Sequence, residues 1–148
     1  MGAYQLVAVG TDGSESSFRA IDRAAVIAAG SQARLLLICA YRPEADTRDA
    51  ERALGRDAAF HVLGSTPAEE TLKRAEERAR SGGVTDVETV AVQGDPVEAV
   101  TTTVRSRSAD LVVVGNRGLN SLTGRLLGSV PQGISRGAAG DVLIVHTT

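Results

Sequence analysis

Apolar residues gather in five short runs along the chain: Tyr4 to Val9, Leu35 to Ala40, Val87 to Val92, Leu111 to Val114 and Val142 to Val145. Most are apolar nearly throughout rather than alternating, the pattern of strands buried on both faces of a parallel sheet. The run from Val87 is broken by Glu88 and Thr89, which puts it at or near a sheet edge. Between the runs the apolar spacing changes to three and four. Ala20, Ile21, Ala24, Ala25 and Ala28 form one stripe, with Arg19, Asp22 and Arg23 facing out, and Gly30 ends that helix. Leu72, Ala75 and Ala79 form a second stripe that runs to Gly82-Gly83, and Val97, Val100 and Val104 form a third.

Local punctuation marks where these helices start. Asp12 suits an N-cap with Glu15 as its capping-box partner, and Ser14 or Ser16 suits it equally. Thr66-Pro67-Ala68-Glu69 reads as cap, first helical position and reciprocal acid, and Asp95-Pro96-Val97-Glu98 repeats the logic. Arg42 to Ser65 has no clear strand pattern, although Asp49 to Ala59 is compatible with a helical piece. Strands alternating with helices imply βαβ units, hence an α/β fold with a doubly wound, five-stranded parallel sheet, over one domain spanning residues 1–148.

Composition narrows the function classes. Hydrophobic residues make up 43% and charged residues 23%, ordinary values for a globular chain with a core. A net charge of −2, aromatics at 3% and no basic arm argue against a nucleic-acid partner. No apolar run approaches a membrane span and no charged-then-apolar leader opens the chain, so a cytoplasmic location without membrane attachment is expected. The single cysteine, Cys39, lies within an apolar run and reads as a small core side chain. His61 and His146 are far apart and no Cys/His cluster has metal spacing, so neither a catalytic nor a metal-ligand set is assigned. His146 reads as a surface or interface residue. Lys73 is the only lysine, and it falls in a helical pattern rather than a phosphate loop.

The stretch richest in chemistry follows the fourth run. Val114 leads into Gly115-Asn116-Arg117-Gly118, and Gly128-Ser129-Val130-Pro131 follows, where a short helix can open with Pro131 in its first turn. Glycines allow a backbone to approach an anion closely, and the first amides of a helix have no internal partner. Ser129 adds a hydroxyl, and Arg117 and Arg125 add positive charge. Together these describe a phosphate-holding loop. The same glycines also suit a tight turn and a helix C-cap. In open α/β sheets, ligands sit beyond the carboxyl ends of the strands where strand order reverses. That rule brings Gly10-Thr11-Asp12-Gly13-Ser14 beside the glycine loop if the first and fourth strands are neighbours. Asp12 then faces ribose hydroxyls or a base amino group, or else it is a plain helix cap.

Gly115-x-x-Gly118 followed, after nine intervening residues, by Gly128-Ser129, all beyond a Val-rich strand, resembles the ATP-binding pattern of the universal stress protein family. Val7 to Ser14 resembles that family's opening strand and loop, and Asp141 to Val145 its closing strand, so the likeness spans the chain in order. The chain looks most like compact single-domain actinobacterial members. The resemblance implies a Rossmann-like, adenine nucleotide alpha hydrolase-type sheet in the order 3-2-1-4-5, and a homodimer joined through the last strand, Val142 to Val145. It implies nucleoside contacts at Gly10, Thr11 and Asp12, and a base contact at the backbone of Ala40. Gly115, Arg117, Gly118, Gly128, Ser129 and Val130 match the positions around ribose and phosphates, and Val114, Asn116, Arg125 and Pro131 complete the candidate binding set. Two positions depart from the family pattern: Pro131 stands where many relatives carry Ser or Thr, and Gly140-Asp141 replaces a common Cys-Pro pair.

The expected function is therefore a dimeric adenine-nucleotide-binding module of a stress response, with ATP as ligand and Mg²⁺ accompanying it. The missing hydroxyl at Pro131 leaves AMP or cyclic AMP as alternatives. Slow ATP hydrolysis is a second reading, but no general base stands near the loop, so a dedicated ATPase is not supported. The third reading is a protein-interaction element that uses dimerisation and the 42–65 segment, with nucleotide only stabilising it.

Overall fold

The computed structural model describes residues 2–42, 65–116 and 140–147. Within them the chain runs β1 (Leu6–Gly10), α1 (Glu15–Ser31), β2 (Arg34–Tyr41), α2 (Ser65–Ser81), β3 (Val87–Gln93), α3 (Pro96–Arg107), β4 (Leu111–Gly115) and β5 (Asp141–Val145). The five strands form one sheet in the order β3-β2-β1-β4-β5, with every neighbouring pair parallel. This is the doubly wound order that the family likeness implied, and β3 lies at an edge as its polar interruptions indicated. The helical piece expected at Asp49–Ala59 and the short helix expected after Ser129 lie outside the described residues.

The unbroken apolar runs are explained by two cores on opposite faces. Val7, Val9, Leu35, Leu37, Cys39, Leu111 and Val113 point to one face, where Ile21, Ala24, Ala25 and Ala28 of α1 and Leu72, Ala75 and Ala79 of α2 cover them. Ala8, Leu36, Ile38, Val112 and Val114 point to the other face, against Val100 and Val104 of α3. Successive strand residues thus enter different cores, and each must be apolar.

The structure settles one open helix cap and moves two helix boundaries from where the sequence put them. Of the three cap candidates Asp12, Ser14 and Ser16, it is Ser14 that caps α1, its side chain accepting from the Ser17 amide. Asp12 instead accepts from the amide of Ser14 (2.9 Å) and thereby orients the cap, while Glu15 reaches across to Arg78 rather than back to the cap. At the other end α1 passes Gly30 and stops at Ser31, with Gln32 taking the left-handed turn at φ 55°. Its buried face still needs Ala28 and Ser31, so the turn that seats the buried Ala33 falls after them. The helix α2 already includes Ser65, which places Thr66 and Pro67 inside the first turn rather than at cap and first position. Proline is tolerated there because the opening amides of a helix have no intrahelical partner. For α3 the expectation holds: Asp95 caps it, accepting from the amides of Val97 (3.1 Å) and Glu98 (3.3 Å), with Pro96 first in the helix. None of the described helices is long and apolar enough to cross a membrane.

Candidate functional site

The sheet's carboxyl rim is where strand order reverses. β1 and β4 lie side by side (Val7↔Leu111, Ala8↔Val112, Val9↔Val113), with β2 and β3 continuing on one side and β5 on the other. The loop after Gly10 and the exit after Gly115 therefore leave from adjacent strands, as the switch-point rule requires.

The first loop is built rigidly. Thr11 is buried, and its amide donates to the carbonyl of Ile38 (2.8 Å), extending the β1–β2 ladder by one residue. The Ser17 hydroxyl donates to the Ser14 carbonyl (2.8 Å), so the bond between the Thr11 and Ser17 hydroxyls (2.8 Å) has Thr11 as its donor. Thr11 Oγ1 also accepts from the Gly13 amide (3.1 Å). The Thr11 hydroxyl thus holds the loop from within. Gly13 has φ +84°, a left-handed conformation that suits glycine, and it lies against Thr71 of α2. This turn leaves Asp12 exposed at the rim. Its Oδ1 accepts from Ser14, and Oδ2 has no partner among the described residues.

Around this corner, Ala40 is half-buried near the end of β2, in register with Val92. Neighbouring Cys39 is buried, and burial pushes its thiol up to about 11, with the negative charge of Asp12 adding to the shift. Cys39 is the core side chain the sequence suggested. Where α1 meets α2, the buried Phe18 is covered by the guanidinium groups of Arg74 and Arg78, at 5.9 and 5.5 Å from its ring centroid.

On the other wall, Val114 is buried in the α3-side core and Gly115 pairs with Val145. The Asn116 amide donates to the Val145 carbonyl (2.9 Å), and its side-chain oxygen accepts from both the amide (2.9 Å) and the hydroxyl (2.7 Å) of Thr147. Asn116 is thus tied to the segment that follows β5. Exposed His146 has Nδ1 3.4 Å from the Asn116 side-chain nitrogen. Thr147 escaped the sequence reading, and Ser16 and Arg19 entered it only as a cap candidate and an outward-facing residue, not as its partners. Thr147 and its partners on α1 lie about 130 positions apart in the chain, too far for any local pattern to relate them.

Of the anticipated site residues, the described ones (Gly10, Thr11, Asp12, Ala40, Val114, Gly115 and Asn116) all fall at the carboxyl ends of β1, β2 and β4 or just beyond. Arg117, Gly118, Arg125, Gly128, Ser129, Val130 and Pro131 lie outside the described residues. Among the described residues no group of His, Cys, Asp and Glu is placed to hold a metal ion.

Comparison with known proteins agrees with this architecture. Residues 3–146 match the model of the universal stress protein family. The chain is 49% identical over 148 residues to universal stress protein Rv1636 of Mycobacterium tuberculosis, covering all of both chains. Its backbone is similar to a crystal structure of a universal stress protein in complex with cAMP (44% identity, TM-score 0.76, covering 99% of this chain and 100% of that one). The fold is shared with universal stress protein UspA from Lactobacillus plantarum (19% identity, TM-score 0.75, covering 99% and 100%). The sheet order, the paired rim of β1 and β4 and likeness from end to end converge, and the chain belongs to the universal stress protein family.

Proposed function

We propose that this protein is an adenine-nucleotide-binding module, with the nucleotide seated at the carboxyl rim between the loop after β1 and the exit of β4. The observation that carries the reading is the rim itself. Two adjacent parallel strands end in glycine, Gly10 and Gly115, with an exposed carboxylate, Asp12, on one wall. Support comes from the relative at 44% identity whose structure is a complex with cAMP.

The residues present fit such a ligand. Asp12 uses one oxygen to shape its loop and keeps the other for a ribose hydroxyl, and the backbone at Ala40 borders the base side. Thr11 serves through the loop it holds. Gly115, Arg117, Gly118, Arg125, Gly128, Ser129, Val130 and Pro131 supply the phosphate side on the sequence reading, with Asn116 at the exit of β4. ATP is the first candidate, with Mg²⁺ bound through the nucleotide's phosphates. Cyclic AMP and AMP are the alternatives, since Pro131 offers no hydroxyl. We further propose a cytoplasmic homodimer joined through β5, where Ile144 is 46% exposed.

Calorimetric titration with ATP, AMP and cAMP tests the reading. The wild type should bind at least one of them. Gly118→Val and Gly128→Val should each weaken binding by more than about tenfold while far-ultraviolet dichroism stays unchanged, because a branched side chain denies the backbone its approach. Equal affinity in both variants would refute the phosphate-loop reading. A radiolabelled-ATP assay with Asp12→Ala as control separates binding from turnover.

A further inference from the structure

Thr147, two residues after β5, ties the start of α1 to the exit of β4. Thr147 is only 3% exposed, and all its polar backbone and side-chain atoms are engaged. Its amide and hydroxyl both donate to Asn116 Oδ1 (2.9 and 2.7 Å), and its carbonyl accepts from Arg19 Nη1 (2.7 Å). The Thr147 hydroxyl also meets the Ser16 hydroxyl. Because the single hydroxyl proton of Thr147 goes to Asn116, Ser16 must be the donor to Thr147. The result is a directed relay from Ser16 through Thr147 to Asn116.

The two ends of that relay stand on opposite walls. Ser16 is in the first turn of α1, two residues beyond the cap that Asp12 orients. Asn116 is the first residue after β4, at the exit toward Arg117 and Gly118. The described sheet bonds fix β1 and β4 only as far as Val9↔Val113, so beyond that pair the walls need another tie.

We propose that Thr147 is a positioning residue for the nucleotide crevice: acting through Asn116 and Ser16, it sets the spacing between the Asp12 loop and the exit of β4. This rests on the nucleotide-binding reading above. A pre-set crevice lowers the ordering cost of binding, so loosening the tie weakens affinity even when the fold survives.

The test compares Thr147→Val, which keeps shape and removes the hydroxyl, with Thr147→Ser, which keeps the hydroxyl. Each is titrated by calorimetry with whichever of ATP, AMP or cAMP the wild type binds, and each is followed by amide hydrogen exchange without ligand. Thr147→Val removes the hydroxyl's bonds to both Asn116 and Ser16, and it should weaken affinity about fivefold and speed exchange at Ser16, Ser17 and Asn116. Thr147→Ser should restore both to near wild type. Unchanged affinity and exchange in Thr147→Val, or no rescue by Ser, overturns the proposal. Faster exchange with unchanged affinity also overturns it, leaving the tie a purely structural one. If the wild type binds none of the three nucleotides, the underlying reading fails and this proposal falls with it, an outcome visible before any variant is measured.

Discussion

Gly140 lies so close to the backbone of Asp110 that a Cβ on it would collide with the Asp110 carbonyl. Asp110 is the pin at the amino-terminal edge of the sheet. Its carboxylate accepts from the amides of Gln5 and Leu6 (both 2.9 Å), and its carbonyl accepts from Asp141 (2.9 Å). The residue thus joins the start of β1 to the start of β5 across β4. We expect Gly140→Ala to destabilise the protein by about 1–3 kcal/mol, because the obstacle is backbone rather than a side chain that can swing away. Urea denaturation measures it, and a change under about 0.5 kcal/mol would show that the contact relaxes freely.

Gln32 offers the opposite opportunity. It is exposed and holds φ 55° at the C-cap of α1, a conformation that strains any residue with a Cβ. Gln32→Gly should stabilise the fold by about 0.5–1 kcal/mol, offset in part by the greater freedom of glycine in the unfolded chain. Thermal unfolding should shift upward by a few degrees; a downward shift would mean that the Gln32 side chain contributes more than its backbone costs.

Cys39 should be a slow nucleophile. Its thiol is raised from 9.0 to about 11 by burial, with Asp12 adding to the effect. The thiolate fraction near pH 8 is then roughly a hundredfold below that of an unperturbed thiol, before steric exclusion is counted. The fold favours the protonated form. Its contribution to stability is therefore complete below pH 9 and is lost as pH rises through about 11. Alkylation rates followed by mass spectrometry from pH 7 to 10 check this, and rapid labelling at pH 7 would contradict the burial of the thiol.

Arg78 forks onto Asp22, Nε to Oδ1 and Nη2 to Oδ2 at 2.8 Å each, stitching α2 to α1. The Asp22 hydrogen bond holds the Arg78 guanidinium proton more firmly than usual. Both side chains remain partly exposed, so screening limits the benefit. A double-mutant cycle with Arg78→Met and Asp22→Asn should give a coupling of about 0.5–1 kcal/mol that shrinks in high salt. A coupling indistinguishable from zero would leave Phe18, over which Arg78 also lies, as the main reason for its place.

Much of the architecture was legible before any coordinates. Runs such as Leu35 to Ala40 are apolar throughout because alternate residues enter separate cores, so the pattern itself reports a two-sided parallel sheet. Asp95-Pro96 named a helix start because capping is a contact between residues two and three apart. The same rules left the α1 cap open among Asp12, Ser14 and Ser16 and ended that helix too early at Gly30, and packing decided both. Ser14 won the cap because Asp12 orients its amide, and Gln32 took the left-handed turn because the buried face of α1 extends to Ser31.

By itself, then, the sequence determined the fold class, the strands and helices, and the glycines that end the first and fourth strands with Asp12 after the first, since each follows from periodicity or from neighbours along the chain. Only the tertiary structure decided that Thr11 turns its hydroxyl inward, that Asn116 is held by Thr147, and that Asp110 and Gly140 pin the far edge. Those relations join residues that chain order separates widely or leaves ambiguous, and folding alone fixes which polar atoms meet.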